Sequence, residues 1–208
     1  VDPYAPLPQG FYRRAAEEVA RDLLGRYLVR TMPDGERLVL RLVEVEAYRG
    51  EGDLASHASD GPVTERSRKL YREGGHAYVY LIYGVHHCLN AVAGSTDDGH
   101  AVLLRAGEPV AGEARMRELR GFAQDRKLGP GDLAGGPGKL CRALGVGRGE
   151  DGTPLWEGNL LLTEGVAVPE SEVVRGPRIG VDYAGEAAAW PLRFAIAGHP
   201  HMSRPRLG

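Results

Sequence analysis

Val43-Glu44-Val45-Glu46-Ala47-Tyr48 and Tyr78-Val79-Tyr80-Leu81-Ile82-Tyr83-Gly84 decide the fold of this chain. In both, β-branched and aromatic residues alternate with a period of two, the pattern of a strand with two distinct faces. Along the first, Val43, Val45 and Ala47 share one face, while Glu44, Glu46 and Tyr48 share the other. Along the second, Tyr78 and Tyr80 point one way, and Tyr83 stands beside Gly84, where a turn is expected. One strand therefore carries carboxylates and a tyrosine, and a nearby hairpin carries a row of tyrosines with one at its tip. An acid/base group facing a stacking platform suits chemistry on a flat, aromatic-like substrate such as a nucleobase. A plainer interpretation competes with it. Glutamates alternating with valines more often mark the solvated face of an antiparallel strand, and tyrosines at period two more often pack a half-buried sheet.

Outward from these segments, Tyr27–Met32 and Leu38–Tyr48 read as two strands joined by the turn Pro33-Asp34-Gly35. Before them, residues 1–9 form an extended arm. Phe11–Leu24 reads as an amphipathic helix with Phe11, Ala15, Val19 and Leu23 on its stripe and Gly25 as its stop. After Tyr48 comes a polar segment with a short helix around Asp53–Ala58, then a basic helix from a Thr64 cap through Tyr71. The hairpin Ala77–Val92 follows, then the Gly94–Gly99 loop and a strand over Ala101–Ala106 that contains Arg105. Pro109 precedes a helix from Glu113 to about Gln124. Leu128–Gly138 is a Gly/Pro-rich loop, and Lys139–Leu144 a short helix. Leu155–Val166 holds a strand pair or a strand and turn, and Arg178–Val181 another strand. Gly185–Ala189 forms a helical turn, Leu192–Ala197 the last strand, and His199–Gly208 a loose tail. Without repeats or low-complexity linkers, residues 1–208 read as a single domain of the α+β class. Its expected architecture is a curved, mainly antiparallel sheet with flanking helices and a protruding β-hairpin.

A chain of 208 residues buries one good core, and 42% hydrophobic with 26% charged residues is an ordinary globular balance. Apolar runs fall short of the roughly 20 residues that span a membrane. Asp2 and Pro3 do not open a basic-apolar signal peptide, so a cytoplasmic location is expected. Cys88 and Cys141 sit in apolar contexts, as buried thiols do in a reducing compartment, and two distant cysteines make no zinc framework. The net charge of −2 excludes a globally basic nucleic-acid coat but not a local basic face. Two basic islands exist: Arg66, Arg68, Lys69 and Arg72 around Glu65, and Arg115, Arg117, Arg120, Arg126 and Lys127 around Glu118 and Asp125. Such islands are as commonly a solvated helix face as a phosphate site.

Taken together, Glu44-Val45-Glu46-Ala47-Tyr48, Ala55-Ser56-His57, Tyr78 through Gly84 and Cys88-Leu89-Asn90 form an ordered series. It continues through Val102-Leu103-Leu104-Arg105-Ala106, Gly136-Pro137-Gly138-Lys139-Leu140-Cys141 and Arg178-Ile179-Gly180-Val181. On these motifs, from about Phe11 to Phe194, the chain resembles the alkyladenine (3-methyladenine) DNA glycosylases, which flip a damaged purine out of duplex DNA. The resemblance implies that Glu46 is the general base that activates water for attack on the anomeric carbon, and that Arg105 holds this carboxylate and water in place. A carboxylate suits an oxocarbenium-like transition state. The resemblance further implies that Tyr48, His57 and Tyr80 wall the flipped-base pocket, where stacking strengthens if the base is cationic. It makes Asn90 the pocket-floor residue that rejects the amino group of guanine, and Tyr83 the ring that wedges into the duplex. Arg66, Arg68, Lys69, Arg115 and Lys139 are the expected contacts to the DNA backbone.

Several positions depart from the family pattern. His86 and His87 replace expected aromatic residues, which leaves the shape of the wedge open, and a protonated His86 would add a phosphate contact. Adjacent strand residues point to opposite faces, so His57, His86 and His87 do not compose a metal site. Glu65 and Ser67 stand where proline and asparagine are expected. Lys69, Lys127 and Lys139 are the chain's lysines, and none falls in a pocket motif, so no amine nucleophile is expected there. The resemblance thus implies a monofunctional, cofactor-independent hydrolase acting as a monomer on double-stranded DNA. Its expected lesions are 3-methyladenine and 7-methylguanine, with hypoxanthine and ethenoadenine as further candidates. The alternatives are a non-catalytic binding module on the same basic islands and tyrosines, and a hydrolase of free nucleosides or RNA. The Glu46–Arg105 pair argues against the first and the wedge Tyr83 against the second.

Overall fold

In a computed structural model, which describes residues 4–59, 62–65 and 67–207, strands dominate and every pairing between them is antiparallel. The strands are β1 (Tyr27–Thr31), β2 (Arg37–Tyr48), β3 (Ala77–Ile82), β4 (His86–Ala93), β5 (His100–Ala111), β6 (Leu160–Thr163), β7 (Val173–Gly176) and β8 (Arg193–Ile196). They lie in the order β3-β4-β5-β2-β1-β6, with β8 beside the second half of β2 and β7 beside β8. The helices are α1 (Ala16–Leu23), α2 (Glu113–Arg120) and α3 (Pro137–Ala143). The expected α+β class with a mainly antiparallel sheet and a hairpin is the observed one. No helix among the described residues is long and apolar enough to cross a membrane.

Period-two alternation sorts the sheet into two unlike faces. Val43, Val45 and Ala47 of β2, Ala77 and Val79 of β3, Leu89 and Ala91 of β4, and Val102 and Leu104 of β5 join the main core. There they meet Val19, Ala20 and Leu23 of α1, Met116 of α2 and Leu140 of α3. The opposite face carries Glu44, Glu46 and Tyr48, then Tyr78 and Tyr80, Cys88 and Asn90, and Leu103 and Arg105. Those glutamates are not solvated: both are fully buried. The loop over residues 177–181 and the C-terminal segment cover them, so both faces of β2 are interior.

Several local expectations change. The helix expected over Phe11–Leu24 splits into a 3-10 turn at Gln9–Tyr12 and α1, because Ala15 adopts extended backbone (φ −54°, ψ 146°). Residues 53–58 form turns instead of a helix: the Asp53 carboxylate accepts the backbone N–H groups of Arg49 and Ala55, which holds the chain in a loop. Within the expected basic helix, Ser67–Tyr71 forms a 3-10 turn. Strand β5 runs on through Pro109, where its pairing to β4 has ended and a missing N–H costs no ladder bond. Residues 178–181 are not a strand, since Gly180 has φ 75° and Ile179 donates its N–H to a side chain. Val173–Gly176 pairs with β8 instead. The tail is not loose: Met202 and Ser203 are buried.

Candidate active site

The sheet's polar face opens into a cavity of about 410 Å³, within the range of small-molecule sites. Its walls include Tyr48, His57, Tyr78, Tyr80 and Arg105, and Pro137 and Gly138 at the start of α3 close one side. Five strands place one continuous row across it. Tyr78 pairs with Asn90, Asn90 with Leu103, Leu103 with Glu46, and Glu46 with Arg193. Residues 44 positions apart, Glu46 and Asn90, thus lie on one line two strands apart, each pointing to the same side.

Glu46 sits one layer behind the cavity wall. Its Oε2 accepts the Tyr48 hydroxyl at 2.8 Å, its Oε1 accepts the Ile179 N–H at 2.8 Å, and Arg105 Nη1 lies 3.3 Å from Oε1. All three partners line the cavity. Arg105 owes its aim to a bulge: Glu44 pairs with Ala106 and Val45 with Leu104, which leaves Arg105 as the extra residue of β5. Bulges of this kind re-aim one side chain without ending the strand. Burial lowers the pKa of Arg105, but the carboxylates of Glu46 and then Glu44 outweigh it, and the net shift is upward. The Tyr48 phenol is held well above its ordinary value, first by burial and then by the negative charge of Glu46, so it stays a donor.

Tyr48 is fixed from outside the cavity as well. The Arg178 guanidinium lies 4.7 Å from its ring centroid and makes two bonds to the Asp53 carboxylate, at 2.6 and 2.8 Å. Both charged side chains of that pair are fully buried, and Arg178 also donates to the Ala47 and Ala187 carbonyls at 3.1 Å. This second buried pair was not foreseen, although Arg178 falls inside a recognised motif.

The aromatic wall is a mutual packing of three rings. His57 lies 4.7 Å from Tyr80 at 72°, Tyr78 and Tyr80 lie 5.4 Å apart at 37°, and His57 Nδ1 is 3.0 Å from the Tyr78 hydroxyl. Burial, and next the Cys88 side chain, pushes the Tyr80 phenol far up. Cys88 and Cys141 are both buried and unlinked. Asn90 is buried, and its Nδ2 donates to the Tyr78 carbonyl at 3.1 Å, so the side chain is locked across the β3–β4 ladder while still lining the cavity.

At the hairpin tip, Tyr83 (φ 52°) and Gly84 (φ 71°) are both left-handed and Val85 N–H bonds the Ile82 carbonyl, a type I′ turn. Tyr83 is 85% exposed, the most exposed large hydrophobic side chain among the described residues. His86 packs against α3: a Cβ at Gly138 would lie 3.1 Å from the His86 Cβ, tighter than most side-chain contacts, so the glycine eases that approach. His86 therefore lines the cavity beside α3. Tyr183, also exposed, stands on the opposite rim, a position with no distinguishing signal in the sequence.

The basic candidates divide. Arg66 lies outside the described residues. Arg68 is exposed and pairs with Glu65 at 3.1 Å. Lys69 pairs with Asp151, whose other oxygen accepts the Val79 N–H of the hairpin at 2.9 Å. Lys139 donates to the Gly131 carbonyl at 3.3 Å from α3. Arg115 is not brought to the cavity: its guanidinium is committed to Asp34 at 2.5 Å, Glu118 at 3.1 Å and Glu36 at 3.3 Å. No lysine among the described residues lines the cavity. Among the described residues no group of three or more His, Cys, Asp or Glu side chains is placed to hold a metal.

Residues 10–200 match the profile of the methylpurine-DNA glycosylase family. Similar proteins include one from Methanocella arvoryzae, 49% identical over 95% of this chain and 96% of its own length. One from Myxococcus xanthus is 48% identical over 95% and 93%, and one from Bacillus thuringiensis 42% identical over 95% and 98%. Each bears the name "Putative 3-methyladenine DNA glycosylase". With the profile and these relatives covering nearly the whole chain, the chain belongs to the methylpurine-DNA glycosylase family, whose members hydrolyse N-glycosyl bonds in DNA.

Proposed function

We propose that this enzyme draws an alkylated purine out of duplex DNA into the aromatic cavity and hydrolyses its N-glycosidic bond, leaving an abasic site. The observation that carries this reading is a fully buried carboxylate, Glu46, whose three partners, Tyr48, Arg105 and Ile179, all line that cavity. A buried anion beside a base-sized chamber stabilises the positive charge that develops on the sugar, and takes a proton from the attacking water. Because these three groups stand between Glu46 and the cavity, they orient the attacking water as well as the carboxylate. Tyr48, His57 and Tyr80 supply π surface for the base, and a methylated cationic purine gains cation–π attraction that an undamaged one lacks.

Asn90 selects against guanine in this proposal. With its amide locked to the Tyr78 carbonyl, it cannot swing away from a 2-amino group, so that group meets a fixed obstacle. Tyr83 enters the stack at the vacated position, and Arg68, Lys69 and Lys139 lie where the DNA backbone passes. A cavity with no lysine on its wall supports hydrolysis over an amine-linked lyase step. The test is Glu46→Gln, which keeps shape and removes the charge. Single-turnover release of 3-methyladenine from duplex DNA should fall at least ~100-fold with DNA binding retained. A near-normal rate would remove Glu46 from the chemistry, and no release by the unaltered protein would leave only a binding module.

A further inference from the structure

We infer that Ser203, delivered by the C-terminal segment, is a positioning residue for the Glu46–Arg105 pair and acts through the buried carboxylate of Glu44; the inference rests on the reading of Glu46 as the base. Arg105 is held at each of its three nitrogens. Nε donates to Glu44 Oε1 at 3.1 Å, Nη2 donates to Ser203 Oγ at 3.2 Å, and Nη1 reaches Glu46 Oε1 at 3.3 Å. Glu44 and Ser203 thus hold two of the three nitrogens, and the third is left facing Glu46. Glu44 is itself pinned. Oε1 accepts from Arg193 Nε at 2.7 Å and from Ser203 Oγ at 2.8 Å, and Oε2 accepts the Ser203 N–H at 2.6 Å.

Ser203 is the residue, among those described, whose side chain bonds both Glu44 and Arg105. Its hydroxyl hydrogen goes to Glu44, which leaves its lone pairs to accept from Arg105. Both carboxylates are fully buried and both arginines nearly so, giving two negative and two positive charges in one dry cluster. In such a cluster a guanidinium that loses one partner turns toward the others, because an unbonded buried donor is costly. The segment is anchored from the same cluster, since Arg193 Nη2 donates to the Pro205 carbonyl at 2.6 Å. The segment that carries Ser203 and Pro205 thus acts as a strap that holds Arg105.

The experiment compares Ser203→Ala and Ser203→Thr in the full-length protein, with Glu46→Gln as control. It measures single-turnover base release from alkylated duplex DNA, duplex affinity, Tm, and hydrogen exchange at the Arg105 Nε–H, assigned by its loss in Arg105→Lys. Ser203→Ala should slow release about tenfold, as loss of an outer partner to a reacting group does, with duplex affinity unchanged and faster exchange at Arg105. Ser203→Thr, which keeps the hydroxyl, should recover most of the rate. A normal rate in Ser203→Ala with unchanged exchange would overturn the inference. So would a loss confined to Tm and affinity, which would make Ser203 a fastener of the tail alone. If Glu46→Gln proves active, the reading of the base fails separately, and the Arg105 exchange still decides whether Ser203 orients that side chain.

Discussion

Replacing Tyr83 with glycine separates the part this residue plays in the fold from its part on DNA. In the folded protein the ring is 85% exposed, so its removal uncovers almost no core. Its backbone at φ 52° is left-handed, a conformation that costs a side-chain-bearing residue about 1–2 kcal/mol. Glycine removes that strain but loses roughly 0.5–1 kcal/mol of chain entropy on folding. The balance is an enzyme unchanged or more stable by roughly 1 kcal/mol, a rise in Tm of up to ~4 °C for a chain this long. On duplex DNA the sign reverses. A ring in the vacated stack returns ~1–3 kcal/mol, which is about ten- to a hundredfold in the flipping equilibrium. Tyr83→Gly should therefore slow single-turnover excision from duplex by that factor, and barely alter excision of the same lesion from a single strand, which has no stack to repair. Paired single-turnover assays on the two substrates, with thermal unfolding of both proteins, check it. An equal loss on duplex and single strand, or a fall in Tm, would refute the assignment of Tyr83 as a wedge strained for DNA.

Other outcomes follow from the site. Asn90→Ser shortens the side chain locked to the Tyr78 carbonyl, and should raise excision of undamaged guanine relative to 3-methyladenine; a constant ratio in a competition assay would move discrimination to His57 or Tyr80. Hypoxanthine leaves better when protonated, so its single-turnover pH profile should be bell-shaped, whereas 7-methylguanine, already cationic, should rise to a plateau; identical profiles would refute the split. Burial raises the phenol pKa values of Tyr12, Tyr48 and Tyr80 above the ordinary 10.0. A raised folded value means the native state binds the proton more tightly, so this stability is fully present below pH 10.0 and is lost above it, as the unfolded chain ionises first. Urea unfolding should show ΔG flat in this respect below that pH and falling steeply above it, and the slope should lessen in Tyr12→Phe.

The motifs were legible along the chain because each is local. Alternation over Val43–Tyr48 and over Tyr78–Ile82 required strands with two unlike faces, and Tyr83-Gly84 required a turn; all three formed. The family resemblance, carried by these and further local motifs, named Glu46, Tyr48, Tyr80, Asn90 and Arg105; the last four line one cavity and Glu46 lies directly behind its wall. Alternation alone could not say that the carboxylate face is interior, because a strand pattern reports two faces without reporting what covers each. Glu44 and Glu46 are buried by residues 130 and more positions away: Ile179 donates to one and Ser203 to the other. For the same reason Ser203 looked like part of a tail and Arg178-Ile179-Gly180-Val181 like a strand, since hydrogen bonds to a distant side chain leave no periodic trace. The bulge that aims Arg105 is likewise a property of two strands in register. Periodicity is set by backbone geometry within a segment, whereas burial, pairing register and charge balance are set by contacts between segments, and only the assembled sheet decides those.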